Sequence, residues 1–155
     1  MKRNGKLFVA LHALVHLAVH PDEPVPSETL AACQATNPVV IRRTMGLLRD
    51  GGVVRSAKGP GGGWTLARGT AEISLRDIYA ALGEPVVDVL DPLSGSEQCL
   101  IVQSVSGVMA PLLLDIQAQL ARRLGEVTLA DLAADVGARY VEYHQLQEGS
   151  LRHGS

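Results

Sequence analysis

NPVVIRRTMGLLRDGG over residues 37–52, followed without a gap by VVRSAKGPGGGWTLAR over residues 53–68, is the stretch that decides the fold. Asn37 is a strong helix N-cap, and Pro38 suits the first helical position, where its missing N–H is no loss. Gly51-Gly52 supplies the chain reversal that ends such a helix. An inward stripe of Ile41, Met45 and Leu48 leaves Arg42 and Arg43 on the opposite side. The residues that follow read as a short apolar strand, a glycine-rich tip carrying Lys58, and an aromatic-led return strand, Trp64-Thr65-Leu66. A basic helix followed at once by a basic, glycine-tipped hairpin is the order of a winged helix-turn-helix. In that module the helix enters the DNA major groove and the hairpin lies against phosphates or the minor groove.

Upstream, Lys6 to about Val19 forms a first helix, and a proline-stiffened loop leads to Ser27, a suitable N-cap for a short helix over 27–33. Gln34-Ala35-Thr36 makes the turn. DNA contacts are then expected from Ser27, Thr36, Asn37, Val39, Val40, Arg42 and Arg43, and from Ser56, Lys58, Gly59, Gly61 and Gly62 of the wing. The two arginines can take a guanine edge bidentately or hold phosphates.

Downstream, Ser74 caps a helix from about Leu75 to Leu82, which Gly83 and Pro85 end. Ser94-Gly-Ser-Glu97 fits a capping box for a long helix. Spacings of three and four mark a packed seam along that helix, with Ile101, Val105, Val108, Leu112, Ile116 and Leu120 expected at a dimer interface. Pro111 lies inside the run and should kink or split it. The expected organisation is a DNA-binding domain over 1–83, a linker over 84–96, a dimerisation helix over 97–125, a C-terminal helix over 126–148 packing on the dimer, and a disordered tail over 149–155. The fold class is mainly α with one small β-hairpin. A first domain of this size cannot bury the seam alone, so a second copy of the chain is the expected partner.

Composition agrees. Of 155 residues 46% are apolar but only 3% aromatic, so the core must be aliphatic. Residues 1–68 carry nine Lys/Arg against four Asp/Glu, whereas residues 69–155 carry five against twelve. A basic front and an acidic back suit one end facing phosphate and the other facing protein. The basic start and the apolar stretch from Leu7 imitate a signal peptide, but two histidines interrupt it and no small residue precedes a cleavage point. No segment is expected to reach the ~20 apolar residues of a membrane span. Two cysteines, Cys33 and Cys99, fit a reducing cytoplasm, with Cys33 expected in the core. His12, His16 and His20 line one side of the first helix without further ligands nearby, so no metal site is expected. No nucleophile elbow, thiol-enzyme motif or phosphate-binding loop is present, which argues against an enzyme.

Ser56-Ala-Lys-Gly59-Pro-Gly-Gly-Gly63-Trp-Thr-Leu-Ala67-Arg68, with Ile73-Ser-Leu75-Arg-Asp77-Ile78 after it, resembles the wing signature of the Rrf-two family of bacterial regulators. The resemblance extends over residues 4–135. It implies a homodimeric repressor bound to double-stranded DNA at an inverted repeat, with the long helix paired to its twin. Many members sense iron–sulfur status, nitric oxide, redox state or cysteine supply. Cluster-binding members carry three closely spaced cysteines at the start of that helix, whereas this chain has Cys99 alone among Asp88, Asp91, Ser94, Ser96 and Glu97. The resemblance therefore points to the subgroup without a cluster, and no cofactor is expected. Two rivals stay open: a redox sensor switched through Cys99, and a winged-helix module that binds protein instead of DNA.

Overall fold

Asn37 caps its helix as its side chain dictates: Oδ1 accepts the N–H of Val39 at 2.8 Å, and the helix runs from Pro38 to Asp50. The computed structural model describes residues 5–83 and 99–139. In order they form α1 (Lys6–Val19), α2 (Ser27–Cys33), α3 (Pro38–Asp50), β1 (Val54–Ala57), β2 (Gly63–Leu66), a 3-10 turn (Thr70–Glu72), α4 (Leu75–Leu82), α5 (Leu100–Glu126) and a helix over residues 129–139, here α6. The expected linker, the capping box at 94–97, Tyr140, Tyr143, His144 and the tail lie outside the described residues.

The core is aliphatic. Leu14 and Leu17 of α1, Leu30 of α2, and Ile41, Met45 and Leu48 of α3 meet Val53, Val54, Ile73, Ile78 and Leu82, all at most 2% exposed. Thr44 joins the buried stripe of α3. One member comes from far along the chain. Leu129, fully buried, enters the same cluster because residues 127–129 return to the first domain. The Leu75 N–H donates to Val127 O at 2.9 Å and the Leu129 N–H to Ile73 O at 2.8 Å, forming an antiparallel bridge at Ser74 and Thr128.

Both helices of the helix-turn-helix end in the same hydrogen-bonded reversal. At the end of α3, Gly52 at φ 72° donates to Arg49 O while Val53 donates to Leu48 O. At the end of α2, Ala35 donates to Ala32 O and Thr36 to Ala31 O, but the left-handed position, φ 49°, is held by alanine. A Cβ there costs ~1–2 kcal/mol, partly offset by the smaller entropy alanine loses on folding. Ala35→Gly is therefore expected to stabilise the protein by ~0.5–1 kcal/mol in urea unfolding, and a loss of stability would contradict this account of the turn.

Several expectations need correction. Ser27 does not cap α2: the helix starts on Ser27, Pro26 precedes it, and no side chain caps it. Cys33 is exposed rather than core, because α2 buries Leu30 and Ala31 and turns its last residue outward. α5 begins at Leu100, with Cys99 at its cap position. Pro111 does not split it. By length and composition α5, with 27 residues and an 18-residue stretch of mean hydropathy 1.5, is also apolar enough to cross a membrane, against the expectation that no segment is. Two features oppose that role. Asp115 sits well inside α5, and the segment directly after it is locked into the first domain by Leu129.

In the single chain no residue of α5 is buried. Ile101, Val105, Val108, Leu112 and Ile116 form one stripe, each at least half exposed, while Leu120 is half-buried. Beside it runs a second stripe, including Val102, Leu113 and Leu124, that is partly covered within the chain. α5 thus carries an inward face and a separate, uncovered apolar face.

Candidate nucleic-acid interface

The wing is built by pairing β1 with β2 so that Val54 faces Leu66, Arg55 faces Thr65, Ser56 faces Trp64 and Ala57 faces Gly63. Val25 joins as a third, one-residue strand: its N–H donates to Trp64 O at 3.0 Å, and its carbonyl oxygen accepts the Trp64 N–H at 2.9 Å. This close approach explains Gly63, since a Cβ there would lie 2.6 Å from the backbone of Val25. At the tip Gly59 and Gly61 take positive φ, and Lys58 stands exposed beside them.

Behind the wing, Trp64 is buried and its indole N–H donates to Ser27 Oγ at 2.9 Å. Ser27 is only 8% exposed. Its hydroxyl thus holds the wing's tryptophan against α2. A buried indole needs an acceptor, and the hydroxyl supplies it.

The other expected residues of the helix lie together on one side. Asn37, Val39, Val40, Arg42 and Arg43 are exposed, and Thr36 is half-buried in the turn before them. Asn37 keeps its amide donors free, but its oxygen is spent on the cap. Arg42 reaches Glu28 Oε1 at 3.4 Å, with Nε donating to Pro38 O at 3.5 Å. That exposed pair contributes little to stability but orients the guanidinium. Arg43, Arg55 and Lys58 have no ion-pair partner among the described residues. Ser56, Gly59, Gly61 and Gly62 follow along the wing, all but the half-buried Gly62 exposed.

Three residues escaped the sequence reading. Glu28 and Arg55 are exposed on the same side as Arg42 and the wing, and Arg49 lines a shallow depression of about 560 Å³ with Arg55, Ser56 and Arg68 at the root of the hairpin. Strand alternation could have found Arg55, which follows buried Val54 and so points outward. Arg68 is less available, being 3.6 Å from Asp77 and donating to Glu72 O.

Away from this surface, Cys99 is half-buried at the start of α5, where the backbone N–H groups of Val102 and Ile101 hold its thiol below the usual range. The His16 and His20 rings lie with centroids 4.9 Å apart, tilted by 43° to one another. Burial, followed by the charges of His20 and His12, holds the His16 imidazole below its ordinary value. Among the described residues no three His, Cys, Asp or Glu side chains are grouped as a metal site.

An exposed helix N-terminus with unpaired cations and a basic hairpin at its side define a winged helix-turn-helix DNA-binding module. The chain belongs to the Rrf2 family, described as iron-dependent transcriptional regulators, which it matches over residues 4–135. It is 29% identical over 163 residues to a candidate HTH-type transcriptional regulator of Mycobacterium tuberculosis, with 99% of both chains covered. It is 27% identical to the HTH-type transcriptional regulator IscR of Serratia proteamaculans over 137 residues, covering 85% of this chain and 79% of that one. Among solved structures, the IscR of T. potens superposes with a TM-score of 0.63 at 25% identity, with 88% of each chain covered. The protein is a DNA-binding transcription regulator, not an enzyme.

Proposed function

We propose that this regulator acts in the cytoplasm as a homodimeric repressor at an inverted-repeat operator. The observation that carries the dimer is the uncovered apolar stripe of α5, separate from the face that packs within the chain. Two copies joined there would place two recognition helices about a turn or a multiple apart, giving half-site centres spaced by ~10 bp or a multiple. Arg43 and Arg42 contact guanine edges or phosphates, and Lys58 with Arg55 holds the backbone beside the wing. Arg43→Ala is expected to weaken operator binding by ~1–3 kcal/mol if it reads a guanine. Lys58→Ala should weaken every duplex alike and lower the salt slope by about one. Titration of wild type and both variants against the operator selected from a randomised library, at several salt concentrations, tests this. Absence of any preference above non-specific binding sinks sequence-specific recognition and favours the protein-binding rival.

The iron named in the family description requires donors. An iron–sulfur cluster is held by several thiolates, and this sequence has two cysteines, one at the end of α2 and one at the start of α5. That set does not fit a cluster, and we propose that the protein works without one. Anaerobically purified protein should be colourless and bind operator without iron; a visible absorption band with stoichiometric iron and sulfide would overturn this.

The second reading, a redox switch at Cys99, is favoured by the backbone N–H groups that lower its thiol pKa. It requires that oxidation alter operator affinity in wild type but not in Cys99→Ser.

A further inference from the structure

We propose that Val39 and Val40 read the 5-methyl groups of thymine, so that each half-site carries A·T pairs beneath the first turn of α3. The proposal rests on the DNA-binding reading and adds which base the helix end prefers. Val39 and Val40 directly follow Pro38 at the start of α3, and they are 58% and 42% exposed. They lie off the buried stripe of Ile41, Thr44, Met45 and Leu48, and neither belongs to the core cluster. Valine is also a mediocre helix former, because its branched Cβ loses rotamer freedom against the preceding turn. Folding therefore gives no reason for an apolar pair at this place.

Two of the polar groups around the pair have partners within the chain. The Asn37 oxygen is held by the Val39 N–H, so the carboxamide cannot offer adenine the acceptor and donor that bidentate reading needs. The Arg42 guanidinium lies 3.4 Å from Glu28 Oε1 and stays exposed. The first turn of α3 thus presents an apolar surface beside Arg42 and Arg43, and Arg43, without an ion-pair partner among the described residues, draws phosphate toward it. The thymine methyl is the apolar group that a base pair displays in the major groove, and residues at the start of a recognition helix are the ones that reach base edges.

The test uses the full-length protein and the operator it selects from a randomised duplex library. Replacing operator thymines one at a time with deoxyuridine removes only the methyl. Affinity should fall ~3–5-fold at one or two positions in each half-site. In the double variant Val39→Ala, Val40→Ala that dependence should shrink to below ~2-fold, with circular dichroism unchanged. Neutral uridine substitution at every position, or an undiminished methyl dependence in the double variant, overturns the proposal while leaving DNA binding intact. A library selection that yields no preferred sequence overturns it together with the sequence-specific reading.

Discussion

Leu112→Glu combined with Ile116→Glu is expected to convert the protein into a folded monomer with greatly reduced operator affinity. Both side chains are more than half exposed in the single chain, and no residue of α5 is buried there. Charging them therefore removes nothing from the core of the first domain. Between two copies, however, four carboxylates would face one another in a desolvated seam, a cost no dimer of this kind can absorb. Losing the second half-site should lower operator affinity ~10²–10⁴-fold, because the second contact is then no longer intramolecular. Light scattering and operator titration measure the two effects separately. A variant that remains a well-folded dimer would show that the subunits join elsewhere.

The largest expected effect on stability comes from Leu129→Ala. This side chain is fully buried in the core of a domain whose other members end at Leu82. Truncation should destabilise by ~2–5 kcal/mol in urea unfolding, the range for buried leucines that leave a cavity. Val136→Ala, on the same helix but 42% exposed, is the control and should change stability by less than ~0.5 kcal/mol. Similar small effects for both would mean that residues 127–129 do not close the core in solution.

Much of the fold was legible in the sequence where local chemistry settles the outcome. Asn37-Pro38 and Gly51-Gly52 bracket a helix whichever core it packs on, and the structure places α3 between them. Trp64-Thr65-Leu66 against Val53-Val54 similarly requires little beyond strand propensity and a glycine tip. The errors fell where the deciding partner is distant. Ser27 looks the same whether its hydroxyl caps its own helix or takes an indole N–H 37 residues away. α2 is seven residues long, too short for periodicity to show that Cys33 faces outward. Nothing in Ala35 signals a left-handed backbone, and nothing in Thr128-Leu129 signals burial beside Ile73. For the candidate interface, the helix and wing residues were legible from charge and position. The involvement of Glu28 was not, because it depends on how α2 crosses α3.

The bridge between residues 127–129 and 73–75 has a mechanical consequence. It anchors one end of α5, a helix of 27 residues, ~40 Å at 1.5 Å per residue, to the backbone of the first domain. Cys99 sits at the opposite end of that helix. A tilt of α5 would therefore load the backbone of Ile73 and Leu75, to which the segment directly after it is hydrogen-bonded.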